Sequence, residues 1–466
     1  MRNKFSTGKG TGKMRIKKVI LPAFLASTAI IAGAQVEEVR PNIIFILADD
    51  MGYGDLGCYG NEIIKTPHID KLAEEGIRFT QNYAGSAVSS PSRCALLTGK
   101  HTGHTTIRDN FAQEGGLPGF KNQSPIRRIS LLPQDTTIAT ILGAVGYKTC
   151  VVNKWHLDGF NPGAGPLDRG FDEFYGWLIS TEDSNSPYYY PALRFRNREL
   201  TVVEENGNNA RQLHGTDLSI IESIDFIERN KENPFFLYLA FDMPHEPYFI
   251  NSVDLYASLP LSETAKLYAS LITHADDAIG RLIKYLEENN LRDNTLIIFT
   301  SDNGGAIQAP LDELNCNADL KGRKGLLYEG GIKVPFIVNY PDRIQPGQVK
   351  DNLIYFPDVM PTLAEYAGAQ TPSGIDGISL KPLFEGEEPD TDNRILYWEF
   401  PGKQTAIRQG KWKAVSVKTD AEFELYDIEK DPNETTDLAK EYPDVLSRLK
   451  KEIGKTRAES PYWPTK

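Results

Sequence analysis

Three short stretches of this chain carry residue types that could do chemistry together. The apolar run Asn42–Leu47 passes straight into Ala48-Asp49-Asp50, and Leu296–Thr300 passes into Ser301-Asp302-Asn303-Gly304-Gly305. Three carboxylates and an amide at two strand ends are hard oxygen ligands, which suit calcium or magnesium rather than zinc or copper. Either cluster alone is as readily a polar turn or a helix cap; the two together favour a metal. The third stretch is Val88-Ser89-Ser90-Pro91-Ser92-Arg93-Cys94-Ala95-Leu96-Leu97-Thr98-Gly99-Lys100. Pro91 fits the first turn of a helix with Ser90 as its cap, and Gly99 can end it. Ser89 then sits at the positive end of that helix, a ready anion site, and Arg93 one turn on can point back at it. An ordinary capped helix explains the same residues.

These residues need a frame to bring them together. Continuous apolar runs, at Asn42–Leu47, Tyr147–Val152, Phe235–Phe241, Thr295–Thr300 and Val334–Val338, read as strands buried on both faces. Between them, Thr66–Glu75, Thr136–Val145, Asp217–Arg229, Ser262–Asn289 and Pro357–Ala369 read as helices. The alternation predicts an α/β fold, a large mostly parallel sheet sandwiched by helices. Ligands of such a sheet bind beyond the carboxyl ends of its strands, where both acidic clusters fall. Residues 155–215, rich in Gly, Pro, Asn and Tyr, read as one long irregular stretch. After about residue 385 short strand-like pieces take over, at Ile395–Glu399, Thr405–Arg408, Trp412–Ser416 and Glu422–Leu425, followed by a helix over Pro443–Arg457. The expected division is a main domain over 36–385 and a smaller C-terminal antiparallel-sheet subdomain over 386–466.

The first 34 residues are unlike the rest. They hold seven basic residues, no acidic ones, an apolar run from Val19 to Ile31 and a small-residue end at Ala32-Gly33-Ala34. That is the pattern of a secretory signal peptide over residues 1–34. The run is short for a membrane span and contains Pro22, so no span is expected after cleavage. Losing the seven basic residues takes the formal net charge from −12 to −19. A surface that acidic excludes non-specific nucleic-acid binding, and any anion site must be a local cationic pocket. Four scattered cysteines (Cys58, Cys94, Cys150, Cys316) are too few for a disulfide framework or a paired-cysteine zinc site.

The run Ser89-Ser90-Pro91-Ser92-Arg93 with Leu96-Leu97-Thr98-Gly99 resembles the signature of the formylglycine-dependent sulfatases of the alkaline-phosphatase superfamily. That signature is Cys or Ser, any residue, Pro, a small residue, Arg, ending in Leu-Thr-Gly. Other pieces agree in order. They are Asn42–Asp50, Lys154-Trp155-His156-Leu157 (with Asp158 displacing the expected Gly), Pro244-His245-Glu246-Pro247 and Ser301–Gly304. Further on come Lys324-Gly325 with Glu329-Gly330-Gly331, then Leu425-Tyr426-Asp427 and Asp431-Pro432-Asn433-Glu434. The likeness spans about residue 40 to about 440.

The resemblance implies an alkaline-phosphatase-like fold and a sulfuric ester hydrolase of the serine type. Ser89 would be oxidised to formylglycine by a serine-type maturase before export. Asp49, Asp50, Asp302, Asn303 and residue 89 would hold Ca2+. Arg93 and Lys154 would hold the formylglycine hydrate, whose hydroxyl attacks sulfur. His156 would act as base for the second hydroxyl, and His245 and Lys324 would contact sulfate and the leaving oxygen. An unmodified serine lacks the second hydroxyl and could not turn over. His104, Arg108 and Asp109, in the polar segment beyond the nucleophile helix, either line the leaving-group pocket or form a surface loop. Trp177 and His214 are weaker substrate contacts. The expected substrate is a sulfated carbohydrate, cleaved by exo-action at a sulfated hexose or hexosamine, and the expected location is a bacterial periplasm. Two alternatives stand beside this: a phosphodiesterase or phosphonate hydrolase of the same superfamily, and an inactive homologue that binds sulfated glycans.

Overall fold

The computed structural model describes residues 40–464 except 122–123, 158–162, 179–188 and 419–420, together with Gly8 and Gly10. Apart from those two glycines, the leader read over residues 1–34 lies outside the described residues, as does Asp158. No helix among the described residues is long and apolar enough to cross a membrane.

The apolar runs form the middle of a ten-stranded sheet. Thr295–Ser301, Asn42–Ala48, Phe235–Ala240, Lys148–Lys154 and Glu173–Trp177 lie side by side and parallel. Successive side chains of a strand point to opposite faces. Ile43, Phe45 and Leu47 therefore enter one core, with helices Ser89–Thr98, Ile138–Ala144 and Val359–Ala367. Ile44, Ile46 and Ala48 enter a second, with Pro67–Glu74, Gly215–Asn230 and Glu263–Glu288. All seven residues of Asn42–Ala48 are buried, which is why its sequence does not alternate with polar residues.

The sheet is mostly parallel, as expected, with antiparallel pairings toward its two sides. Phe336–Asn339 and Ile77–Phe79 add antiparallel on one side, and Leu193–Arg196 and Glu199–Val202 on the other. The stretch 155–215 is correspondingly less irregular than its composition suggested, since Glu173–Trp177, Leu193–Arg196 and Glu199–Val202 all join this sheet. These strands are short and bounded by Gly, Pro and Asn, so no period is long enough to read. A separate four-stranded antiparallel sheet, Ile395–Phe400, Gln404–Gln409, Trp412–Ser416 and Glu424–Asp427, follows in chain order, with helix Pro443–Thr456 after it.

One buried charge knot ties this second sheet to the loop that carries Lys324. Lys413 Nζ lies 2.9 Å from both Glu329 Oε1 and Glu434 Oε1. Glu434 Oε2 accepts from the Glu329 amide at 2.7 Å, and the Tyr83 hydroxyl donates to Glu329 Oε2.

Candidate active site

Register decides which groups meet. Ala48 pairs with Ser301, Leu47 with Ala240, and Ala240 with Asn153. The residues that follow each strand end therefore emerge along one rim. Asp49 and Asp50 come from one strand, Asp302 and Asn303 from its neighbour, and Lys154 from the strand two places away on the other side. Asp50 turns back with φ 67° and His156 with φ 57°, conformations that non-glycine residues adopt rarely and that redirect both side chains at the rim.

Helix Ser89–Thr98 meets the rim end-on. Its cap is not Ser90, as the sequence suggested, but the extended residue Val88, which gives no side-chain bond. The helix starts at Ser89 itself, and the Ser90 hydroxyl instead donates to the His156 carbonyl at 2.7 Å. Gly99 ends the helix at φ 68°, as expected. Ser89 Oγ lies 3.2 Å from Asp49 Oδ1 and 3.5 Å from Asn303 Oδ1. Arg93, one turn on, reaches Asp302 Oδ2 through Nε at 3.0 Å and Nη2 at 2.9 Å, and donates to the Lys154 carbonyl at 3.0 Å. Lys154 Nζ pairs with Asp49 Oδ2. Lys324 Nζ pairs with Asp50 Oδ2 at 2.6 Å, and His245 Nε2 lies 3.7 Å from the same oxygen.

The Lys324 loop can come this close because Gly304 lacks a side chain. A Cβ there would lie 2.0 Å from the Gly330 carbonyl oxygen. Gly304 and Lys324 use this proximity to donate backbone bonds, to Gly331 at 3.1 Å and to Gly305 at 3.0 Å.

Burial by itself would raise the Asp49 carboxyl, but Lys154, His245 and Arg93 outweigh it and hold it below its ordinary value. Asp50 is held down in the same way, against burial, by Lys324 and His245. Burial favours the neutral form of His156, and the nearby Lys154, Arg93, Arg128 and Lys324 cations add to it, so its imidazole is far below its usual range. Its buried Nδ1 has no hydrogen-bond partner among the described residues. His245 Nδ1 lies 2.6 Å from the Glu246 carbonyl. A carbonyl can only accept, so Nδ1 carries a proton and Nε2 is the nitrogen able to gain or lose one.

The donor set tests whether a metal fits. Asp49, Asp50, Asp302, Asn303 and Ser89 converge with oxygen atoms, and they are buried. Asn303 Nδ2 donates to Asp50 Oδ1 at 2.8 Å, which turns Oδ1 of the amide toward Ser89. One serine proton cannot satisfy two acceptors at once. This surplus of hard oxygen atoms fits a calcium-type cation.

The other sequence candidates go elsewhere. Arg108 is buried in an ion pair with Glu399 at 2.9 Å and donates to two backbone carbonyls. His104 pairs with Asp376 at 2.8 Å and stacks on His101. Asp109 pairs with Lys403 at 2.9 Å. Trp177 lies beside Lys154 in the sheet, its ring covered by Arg194 at 3.6 Å. His214 caps helix Gly215–Asn230 and lies with Asp217 and His274 in a different cleft. The cleft over Ser89, about 320 Å³, is lined instead by Asn110, Phe111, Lys121, Arg128, Glu246 and Gln308, with His156, His245 and Lys324. Of these, Asn110 directly follows Asp109 in the polar segment. Lys121 and Arg128 were not legible, because they lie in a hairpin, Leu117–Lys121 with Ser124–Arg128, whose prolines and glycine erase any strand period.

A family model described as Sulfatase matches residues 41–369, and one described as N-sulphoglucosamine sulphohydrolase, C-terminal, matches residues 323–459. The chain is similar to the N-acetylgalactosamine-6-sulfatase of Homo sapiens, at 31% identity over 90% of this chain and 85% of that protein. Among solved structures it is similar to Ps i-CgsB in complex with k-i-k-neocarrahexaose, with TM-score 0.78 and 29% identity over 92% and 95% of the two chains. It is also similar to the BT33336S-sulf protein, from work on glycosaminoglycan metabolism by Bacteroides thetaiotaomicron, with TM-score 0.73 and 27% identity over 89% and 99%.

Proposed function

The chain belongs to the sulfatase family and is a sulfuric ester hydrolase, and from that premise we propose that it removes sulfate from a carbohydrate through a formylglycine made from Ser89 beside a calcium ion. The observation that carries the proposal is the convergence of Asp49 Oδ1 and Asn303 Oδ1 on the Ser89 hydroxyl, at the end of a helix ringed by Arg93, Lys154 and Lys324. Asp49, Asp50, Asp302, Asn303 and residue 89 would hold the ion. Bound there, calcium would supply a Lewis acid and a template for the sulfate oxygens. Formylglycine, once hydrated, would supply a hydroxyl for attack on sulfur and a second one for release.

The chain's own groups do the rest. Arg93 and Lys154 orient residue 89 and offset charge as sulfate enters. Lys324 and His245 face the same space from two further loops. His245, with its proton on Nε2, is the acid for the leaving oxygen. His156 lines the same cleft and would take a proton from residue 89. The carbohydrate substrate is supported by the sugar sulfatase among its relatives. We read residues 1–34 as an export signal, so modification would precede passage to a periplasm.

The test is turnover by matured protein of paired sulfate and phosphate esters of one sugar. Sulfate is expected to dominate. Dominant phosphate turnover would instead favour a phosphoryl hydrolase, and binding without turnover would favour a sulfated-glycan receptor.

A further inference from the structure

The strand that delivers Lys154 is distorted one residue before it. Asn153 lies inside Lys148–Lys154, paired with Ala240 on one side and Gly176 on the other, yet its φ is 78°. A left-handed residue costs backbone energy and persists only where its surroundings fix it. Asn accepts this conformation more readily than most residues, because its short amide can hydrogen-bond close by. Two neighbours fix it here. Asn153 Nδ2 donates to Asp242 Oδ2 at 2.9 Å, and Arg194 Nη2 lies 3.7 Å from the same buried oxygen. Gly176 makes room on the other side, since a Cβ there would lie 2.1 Å from the Asn153 carbonyl oxygen and 2.5 Å from its Cα.

In a regular strand successive side chains point to opposite faces, so a left-handed residue changes the direction in which the next side chain leaves. The next residue is Lys154, whose Nζ reaches Asp49 and whose carbonyl accepts from Arg93 at 3.0 Å. Asp242 also touches the loop of the second catalytic cation, because its carbonyl accepts from the His245 amide at 3.0 Å. We propose that Asn153 and Asp242 are positioning residues for sulfate-ester hydrolysis, their hydrogen bond holding the left-handed turn that aims Lys154 at Asp49 and residue 89. The inference rests on the proposed function for the role of Lys154. Both residues act through that lysine.

The first test is structural and needs neither maturation nor turnover. Crystal structures of full-length protein with unmodified Ser89 should show the Lys154–Asp49 pair broken in Asn153→Ala, which disfavours the left-handed backbone and lacks the amide. An unmoved pair would overturn the inference. The second test follows sulfate release by matured variants. A misplacement of about 1 Å can cost about a hundredfold, so Asn153→Ala should lose about that much in kcat, with KM much less changed. Asn153→Gly permits the backbone but lacks the hydrogen bond, and should lose about tenfold. Asp242→Ala should fall as well, and Asp242→Asn, which keeps an acceptor oxygen, should recover most of that loss. In a Lys154→Ala background Asn153→Ala should add little, because the residue it positions is gone. Parent-like kcat in a folded Asn153→Ala or Asn153→Gly variant, or the full loss repeated on top of Lys154→Ala, would overturn the inference. Parent-like turnover by Lys154→Ala alone would sink the catalytic reading of that lysine instead. An impaired Lys154→Ala beside an unimpaired Asn153→Ala would sink only the positioning.

Discussion

The floor of the cleft and the Glu329–Lys413–Glu434 knot both bury carboxylates against cations, but they differ in what the carboxylates face. In the knot Glu329 Oε1 and Glu434 Oε1 share the Lys413 ammonium, while the Tyr83 hydroxyl and the Glu329 amide serve the other two oxygens. On the floor, two acceptor oxygens face a single serine hydroxyl, and the cluster opens to a cleft. A buried network closed on its own cation fixes structure, whereas oxygen atoms that converge at a cleft are a place for a ligand. The knot also serves the floor. It anchors Glu329, beside the two glycines that let the Lys324 loop approach Gly304.

The contrast can be broken most sharply by removing the floor's nucleophile. Ser89→Ala in matured preparations should lower kcat on the order of 10⁴-fold or more, with melting temperature nearly unchanged. A large loss of stability would mean that Ser89 is part of the fold's support. The opposite pattern is expected in the knot. Lys413→Met leaves two buried carboxylates without their cation and should cost about 3–5 kcal/mol in urea unfolding. The penalty should grow as pH rises, because burial raises the Glu434 carboxyl to about 7 and protonation relieves the repulsion below that value.

Calcium sharpens the same comparison. At about a hundred times its dissociation constant it should stabilise the protein by about 2.7 kcal/mol. Differential scanning fluorimetry in calcium against chelator should show this shift in the parent and in Lys413→Met. The paired change Asp49→Asn with Asp302→Asn should abolish it.

The smallest effect concerns Asp55, a buried acid with neither arrangement. Burial raises it to about 7, against the hydrogen bonds from Tyr268 and the Gly52 amide. Its folded value lies above its unfolded one, so the stability it lends is full below the unfolded value near 3.8 and is lost as pH rises through about 7. Asp55→Asn has no such titration. Its melting temperature relative to the parent should therefore rise between pH 5 and pH 8, and a flat difference would contradict a raised Asp55.

What the sequence disclosed follows from the same physics. The floor aspartates were legible because each directly follows an uninterrupted apolar run, and a central parallel strand has no other composition open to it. The second sheet was legible from its change to short strands. The helix cap was misread because Ser89 and Ser90 are both capping residues, and only the position of the His156 carbonyl decides what Ser90 does. The strands between 173 and 202 and the Leu117–Arg128 hairpin are short and interrupted or bounded by Gly and Pro, so the side of the sheet beyond Lys148–Lys154 and the hairpin wall of the cleft were invisible while the cleft's floor was plain.

The central claim, that the encoded Ser89 is the precursor of the nucleophile, is tested most directly on the tryptic peptide Phe79–Arg93. Its mass should be measured in protein made with and without a serine-type maturase, and sulfate release followed on the same samples. The expected result is a peptide lighter by two hydrogen atoms, with the change at residue 89, and activity in proportion to the modified fraction. Full turnover by protein whose residue 89 is entirely serine would contradict it.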